Sequence, residues 1–455
     1  MVKEIQTFSK VLARREVITL SFGAMIGWSW VLLTGEWLQR AGTLGAISAM
    51  VIGGIAVIFI SLTYAELVSA MPEAGGEHVY THRALGRLPS FICTWALIMA
   101  YVTVPVFESV ALPTAMEYLF PDLRIGLLWR VVDSNVYASM VMVGVVGAIL
   151  MSGANYIGIR FAAILQSIIT IVFLLIGLSF IGGSMVNGDI QNTTPMFTSG
   201  VGGAMSVLIM VPALLVGFDV IPQSAEEINV PPEQIGKLLV FSVSLAVLWY
   251  VIITLAVSLA MDHTSLADAD IATADANAVV WNSQIAGKIM IIAGIAGILT
   301  SWNAFILGGS RVIYAMAKSG LLPSAFAKLH PKYKTPYLAI LMIGGLSCIS
   351  PFFGRTILVW IIDAGSFAIV IAYGMVAFAF LRLRIKEPDM QRPFKLRYGM
   401  TIGYLALLMS IGLFVIYLPG SPSALLWPYE WAMVLGWILL GVIFYWLASR
   451  QEKPA

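Results

Sequence analysis

The chain has 455 residues, of which 59% are hydrophobic and 11% charged, and its mean hydropathy is +0.91. Soluble domains carry about 25% charged residues. This composition therefore excludes an ordinary soluble protein and indicates an integral membrane protein. The 26 Lys and Arg residues nearly balance the 24 Asp and Glu residues. A nucleic-acid partner, which requires clustered cations, is therefore not expected.

Long apolar runs predict membrane-spanning helices. The runs lack the alternating pattern of an outer-membrane barrel, and backbone groups in lipid must find partners within their own segment. About 20 residues cross a hydrocarbon core about 30 Å thick. The predicted spans are 16–39, 46–70, 89–112, 136–153, 161–183, 202–224, 237–261, 285–313, 336–353, 356–381, 400–418 and 427–448. We therefore expect an all-α polytopic membrane protein with 12 transmembrane helices.

The distribution of cations predicts the orientation of the chain. Residues 1–15 are charged and amphipathic, and the following apolar stretch is too long for a cleaved signal and lacks a small-residue cleavage site. If this segment is cytoplasmic, most of the 26 cations fall on the inner side. The exceptions are Arg40, Arg124, Arg130, Lys288 and Arg355. Because cytoplasmic loops are enriched in Lys and Arg, we expect an inner or plasma membrane protein with residues 1–15 and 449–455 in the cytoplasm.

The first and sixth spans contain residues that interrupt a helix. They carry glycines, prolines and polar side chains near their middles: Gly23, Gly27, Ser29, Pro212, Gly217, Asp219 and Pro222. Proline removes a backbone hydrogen bond, and glycine tolerates unwound dihedral angles. In lipid such a break must line a cavity or lie buried in protein. Its free amides and carbonyls suit the carboxylate and ammonium groups of a ligand.

The positions of these interruptions favour a transporter. For Gly23 and Gly27 alone, close helix packing through small residues is an equally good explanation. However, Gly23 and Gly217 fall in spans one and six, which are matching positions of two five-span halves. Such correspondence indicates an inverted-repeat transporter with its site near the middle of the membrane.

Several short motifs then carry a family resemblance from about residue 10 to about residue 400. They include GWSWV at 27–31, YAEL at 64–67, PEAGGEHVY at 72–80, NYIG at 155–158, GFD at 217–219, SRVIYAMA at 310–317 and RPF at 392–394. Each is weak alone, but their order and their positions in the spans are specific. The chain resembles members of the amino acid–polyamine–organocation (APC) superfamily.

The resemblance implies a fold and an activity. The fold is leucine-transporter-like, with helices 1–5 (16–183) and 6–10 (202–381) as inverted repeats and two peripheral helices in 400–448. The activity is secondary transport of a small amino acid or related amine by alternating access, as a symporter or exchanger. No cofactor is expected, and H⁺ or Na⁺ is the candidate coupling ion. A sensor that binds without translocating and a channel are the alternatives.

The resemblance also places the substrate at the two interruptions. Family members hold the carboxylate on exposed amides of helix one, here Met25 to Ser29, and the amine on carbonyls near Met25 and Val216. The predicted substrate-binding residues are Met25, Ile26, Gly27, Trp28, Ser29, Val216, Gly217, Phe218, Asp219 and Phe305.

Two tryptophans depart from the family pattern. Trp28 and Trp30 stand where relatives usually have small or aliphatic residues. They either narrow the pocket, offer a π-face to a cation worth about 0.5–2 kcal/mol, or belong to the core. In some relatives an aromatic residue in helix six gates the site. The matching position here is Ala213, so we expect Trp28 or Phe305 to take that role.

Candidate coupling residues are few. Asp219 is expected to pair with a substrate amine, shuttle a proton or cap broken backbone. Thr300 and Ser301 offer hydroxyl oxygens to Na⁺, or else bond the preceding helical turn. A lysine that replaces sodium in some relatives corresponds to Phe173, so that device is not expected.

Two further carboxylates in the spans, Glu36 and Glu108, are expected to be structural or to line an outer vestibule. Glu36 and Glu108 lie toward the outer ends of their spans, and Arg40 is placed to neutralise Glu36. His78 and His82 have metal-binding spacing but no evident third ligand. The sequence contains no P-loop, HExxH or dinucleotide fingerprint, so we expect no enzyme activity.

Overall fold

The computed structural model describes residues 8–132, 134–421 and 424–451. The helices of this part are α1 (Arg14–Ile26), α2 (Ser29–Leu32), α3 (Thr34–Ala70), α4 (Glu77–Leu85), α5 (Arg87–Leu119), α6 (Ala138–Ile157), α7 (Ile159–Asn187), α8 (Gly200–Leu208), α9 (Val211–Leu214), α10 (Val220–Gln223), α11 (Pro232–Ala260), α12 (His263–Ala267), α13 (Ala272–Val280), α14 (Gln284–Lys318), α15 (Tyr337–Ile349), α16 (Gly354–Lys386), α17 (Gly399–Ile416) and α18 (Tyr429–Gln451). One antiparallel hairpin joins β1 (Leu127–Val131) to β2 (Ser134–Tyr137).

Ten helices in the described residues are long and apolar enough to cross a membrane. They are Thr34–Ala70, Arg87–Leu119, Ala138–Ile157, Ile159–Asn187, Pro232–Ala260, Gln284–Lys318, Tyr337–Ile357, Val359–Lys386, Gly399–Ile416 and Tyr429–Arg450. The chain is therefore a multi-pass α-helical membrane protein. The predicted spans 16–39 and 202–224 are divided among shorter helices, which is why they do not meet the length requirement.

The long helix α3 contains a sharp bend that separates two helical parts. Gly42 has φ 72° and ψ 174°, outside the helical region. A Cβ atom at this position would lie 2.6 Å from the carbonyl oxygen of Pro195, so the close approach of this backbone requires glycine. The residues after the bend form the first long membrane helix.

Burial separates central helices from peripheral ones. In the most apolar windows of α5 and α14, 83% and 78% of residues are buried inside the protein. The corresponding shares for α17 and α18 are 22% and 17%. Apolar side chains on the outer helices are thus left to face lipid, while α5 and α14 pack against each other at the centre of the bundle and α1 packs against α14.

Candidate functional site

The first interruption lies between α1 and α2. Helix α1 ends at Ile26, and Gly27 follows with φ 48° and ψ −143°. The hydroxyl of Tyr250 on α11 lies 2.9 Å from the Met25 carbonyl oxygen, 3.2 Å from that of Ile26 and 2.9 Å from Ser29 Oγ. The Tyr250 hydroxyl can therefore donate a hydrogen bond to carbonyl oxygens that have no amide donor at the end of α1. Sequence reasoning missed Tyr250, whose one signal is a tyrosine within an apolar span.

Glycines on α14 allow this segment to pack closely. A Cβ atom at Gly297 would overlap the carbonyl oxygen of Gly27, and one at Gly294 would overlap the indole ring of Trp28. Both α14 positions therefore have to remain free of side-chain atoms for α14 to contact the interruption. This contact fixes where the amides after Gly27 point.

The second interruption occupies residues 215–219, between α9 and α10. Gly217 has φ 120°, and a Cβ atom there would lie 2.7 Å from the Cβ atom of Ala24 on α1. The second interruption thus contacts α1 three residues before the first interruption begins. Asp219 is fully buried: Gly217 donates its amide to Oδ1 (3.1 Å) and Tyr101 donates its hydroxyl to Oδ2 (2.8 Å). In this arrangement Asp219 caps the unwound backbone.

A cavity of about 390 Å³ lies beside the two interruptions, a size typical of small-molecule sites. Its lining includes six of the predicted substrate-binding residues: Met25, Gly27, Trp28, Ser29, Val216 and Phe305. The other four do not line it: Ile26, Gly217, Phe218 and Asp219. Phe218 instead packs against Tyr64 and Tyr373, with ring centroids 5.2 Å and 5.3 Å away.

A carboxylate that the sequence left as either structural or vestibular also lines the cavity. Glu108 on α5 is 5% exposed, and Ser301 donates a hydrogen bond to its Oε1. Its Oε2 has no hydrogen-bond partner in the described residues. A buried carboxylate oxygen without a partner is costly, so this atom is suited to receive a proton or a cationic group. Asp363, to which the sequence assigned no role, lines the same cavity.

A second cavity, of about 600 Å³, extends the first. The two share the lining residues Trp28, Leu32, Phe107 and Arg355. The second also reaches Asp270, in the connection between α12 and α13. Trp28 therefore stands between the inner cavity and the wider outer one.

The opposite side of the bundle, here called the N-terminal face, is sealed. The amides of Val11 and Leu12 donate to the Glu227 carbonyl at 2.9 Å and 3.0 Å. The Glu227 carboxylate accepts two hydrogen bonds from Arg311, at 2.8 Å and 2.9 Å, and both side chains are 1% exposed. Arg311 lies ten residues beyond Ser301 on α14, which is about 15 Å along the helix. The Glu227–Arg311 contact thus lies well away from the cavity, toward the N-terminal face.

The hydroxyls proposed for sodium have protein partners. Thr300 Oγ1 lies 2.8 Å from the Gly297 carbonyl oxygen and 3.0 Å from that of Gly23. Ser301 Oγ lies 3.0 Å from the Ile298 carbonyl oxygen. Each hydroxyl has a single proton, which Thr300 can share between the preceding turn and Gly23, and which Ser301 can share between the preceding turn and Glu108. Ser301 lines the cavity, whereas Thr300 does not.

Other candidate residues have clear surroundings. Trp30 is fully buried, with its ring centroid 5.3 Å from that of Trp249, so it belongs to the core. Phe173 belongs to the same aromatic cluster.

Both ring nitrogens of His78 lie 2.8 Å from hydroxyl oxygens, one on Thr94 and one on Ser319. The part of the chain that the structure describes contains no group of three or more His, Cys, Asp or Glu side chains suited to a metal.

Comparison with known proteins gives a consistent result. A family model described as amino acid permease matches residues 12–448. The chain is 27% identical to the branched-chain amino acid permease BcaP of Bacillus subtilis (strain 168), covering 98% of this chain and 95% of that protein. From the same organism, a methylthioribose transporter is 25% identical (98% and 96% covered), and an aspartate-proton symporter is 24% identical (91% and 80% covered).

Proposed function

Because the chain belongs to the amino acid permease family, we propose that it is a secondary transporter that moves a small amino acid or related amine by alternating access. The observation that carries this proposal is the cavity between the two interruptions, with a sealed N-terminal face on one side and a second cavity on the other. Such an arrangement is suited to one of the two end states of alternating access. The names of the relatives support an amino acid substrate, and one names a proton as its co-substrate.

The proposed fold has 12 transmembrane helices in a 5+5 inverted repeat with two peripheral helices. Repeat one is 16–183, repeat two is 202–381, and the peripheral pair is 400–448. The non-helical residues 27–28 and 215–219 support this division, because they fall within spans one and six. The concentration of Lys and Arg supports a cytoplasmic N-terminal face. Residues 1–7 and 452–455 lie outside the described residues.

Substrate recognition is proposed to use both ends of an amino acid. Helix α2 begins at Ser29, so the amides at 27–29 have no preceding turn to bond and suit a carboxylate. The free Oε2 of Glu108 suits the ammonium group. Trp28 and Phe305 line the space between these two groups, and they limit the size of the substrate's side chain. Proton or sodium coupling and exchange are all compatible with this arrangement.

Uptake into proteoliposomes tests the proposal. Purified protein is supplied with a panel of amino acids, amines and choline-like cations, with and without sodium and at two pH values. We expect saturable uptake of at least one amino acid or amine, and its dependence on the gradients identifies the coupling ion. If no member of the panel moves under any imposed gradient, the proposal is wrong.

A further inference from the structure

A second buried carboxylate lies below the cavity, in the N-terminal face. Glu77 begins the short helix α4, outside the ten long spans, and its side chain is fully buried. Its Oε2 accepts a hydrogen bond from the side-chain amide of Gln223, the last residue of α10. Two atoms of this pair have no hydrogen-bond partner in the described residues, Glu77 Oε1 and Gln223 Oε1.

These two oxygen atoms can be paired if Glu77 is protonated. A carboxylic acid and a carboxamide can form a cyclic pair, in which the amide N–H donates to one acid oxygen and the acid O–H donates to the amide oxygen. The first of these bonds is present. The second would join the two unpartnered oxygens, and it exists only if Glu77 Oε1 carries a proton. An ionised Glu77 cannot make this second bond, and it leaves the buried Gln223 Oε1 without a donor among the described residues, which is costly.

The electrostatic surroundings of Glu77 also favour the protonated form. The titratable groups that interact with it are Tyr64, Tyr80, Cys93, Tyr101, Asp219 and Tyr373, and none of them is a cation. Burial, followed by the nearby Asp219 carboxylate, raises the pKa of Glu77 well above its usual range. By contrast, two other buried carboxylates have arginine partners: Glu227 is paired with Arg311 and Glu66 with Arg384.

The Glu77–Gln223 pair joins two segments that seal the N-terminal face. The Gly75 amide donates to the Gln223 carbonyl at 3.3 Å. Gly76 lies so close to α10 that a Cβ atom there would be 2.7 Å from the Cβ atom of Pro222. Gln223 follows Asp219 by one turn and precedes the Glu227 ion pair by another. Changes at this pair therefore act directly on the segment that connects the cavity to the seal.

We propose that Glu77 and Gln223 form a proton-binding latch that holds the N-terminal face closed. With a proton on Glu77, the cyclic acid–amide pair fastens residues 71–77 to α10. When the proton leaves to water, the negative charge repels Gln223 Oε1 and the Asp219 carboxylate, and the face opens. This inference rests on the proposed transport function for its biological role, since opening this face would release substrate, but the latch itself is a property of the structure.

Hydrogen–deuterium exchange of the full-length protein tests the latch independently of transport. Glu77→Gln keeps the cyclic pair, because the new amide donates to Gln223 Oε1 without any proton to lose. Gln223→Met keeps the side-chain length but removes the pairing partner. Glu73→Gln is the matched control, because it makes the same chemical change on an exposed side chain of the same segment.

The latch predicts different pH responses for these variants. At about pH 4, below the ordinary pKa of a glutamate of about 4.3, residues 71–77 and 220–227 should exchange at the same rate in the wild-type protein and in Glu77→Gln. As the pH rises above this value the wild type should exchange progressively faster than Glu77→Gln, by at least about threefold at about pH 8.5. Gln223→Met should exchange fast at both pH values, and Glu73→Gln should follow the wild type. The latch is wrong if Glu77→Gln follows the wild type at both pH values, or if the wild type shows no faster exchange than Glu77→Gln at high pH. Absence of transport by the wild type would overturn the proposed function and leave this result intact.

Discussion

At the scale of single residues, the cavity separates side chains that contact a ligand from those that support the site. Trp28 and Glu108 line the cavity, whereas Trp30 and Asp219 are held in the surrounding core. The sequence did not distinguish the directions of the two tryptophans, and it favoured Asp219 over Glu108 as a substrate-binding residue. Which of these side chains reaches the cavity depends on side-chain direction, and apolar periodicity alone did not determine that direction.

Trp28 should determine which substrates enter. Replacing Trp28 by Ser enlarges the space between the inner and outer cavities, so we expect bulkier substrates to compete for uptake. Competition across the amino acid panel measures this change. Trp30→Phe is the control: it alters a core indole, so it should change protein stability and leave the order of substrate preference unchanged. An unchanged preference in Trp28→Ser would show that this indole does not select the substrate.

Glu108 should contribute to the affinity for the substrate ammonium group. A hydrogen bond to a charged group contributes about 1.5–3 kcal/mol, so Glu108→Gln should raise the KM by roughly 10–100-fold. Glu36→Gln is the control, because Glu36 lies near the surface and pairs with Arg40. The prediction fails if both variants have the wild-type KM.

At the scale of secondary structure elements, the site depends on contacts between α1, α11 and α14. Glycine and proline positions led us to expect breaks in spans one and six. Gly27 and Gly217 lie in the non-helical residues, whereas Pro212 and Pro222 lie inside the short helices α9 and α10. Tyr250, Gly294 and Gly297 could not be predicted in the same way. They contact residues more than two hundred positions away in the chain, and their importance arises only when the helices pack together. Glu77 and Gln223 are likewise brought together by packing across 146 positions.

Gly297 should be required for this packing. An added methyl group in Gly297→Ala overlaps the Gly27 carbonyl oxygen and pushes α14 away from the interruption. Overpacking of this kind costs about 1–3 kcal/mol, so we expect transport and thermal stability to fall together. Gly153→Ala, where no atom lies within 4 Å of the new Cβ atom, is the matched control and should be neutral or stabilising. Equal behaviour of the two variants would contradict the proposed contact.

Tyr250 should hold the end of α1 in place. Tyr250→Phe keeps the ring but removes the hydroxyl from the Met25 and Ile26 carbonyl oxygens. Buried carbonyls without partners cost about 1–3 kcal/mol, so unfolding should occur at a lower temperature and substrate affinity should decrease. Thermal unfolding in detergent, with and without substrate, measures both effects. Wild-type stability and affinity in this variant would show that the hydroxyl is dispensable.

At the scale of the whole molecule, the central cavity is closed on one face and extended on the other. The Glu227–Arg311 pair of the closed face is buried, so removal of one partner leaves an unpaired buried charge at a cost of about 3–5 kcal/mol. Glu227→Gln should therefore open this face or lower stability strongly. The exposed pair of Arg83 and Glu387 provides the comparison, and Glu387→Gln should have little effect. Exchange of residues 8–13 with deuterium distinguishes the two outcomes.

The central claim is that this cavity opens alternately to the two sides of the membrane. Counterflow tests it most directly: proteoliposomes loaded with unlabelled substrate are diluted into a trace of the labelled compound. Alternating access predicts transient accumulation of label above the external concentration, which disappears when the internal substrate is omitted. Saturable binding with no accumulation, or a flux that neither saturates nor responds to internal substrate, would contradict the account.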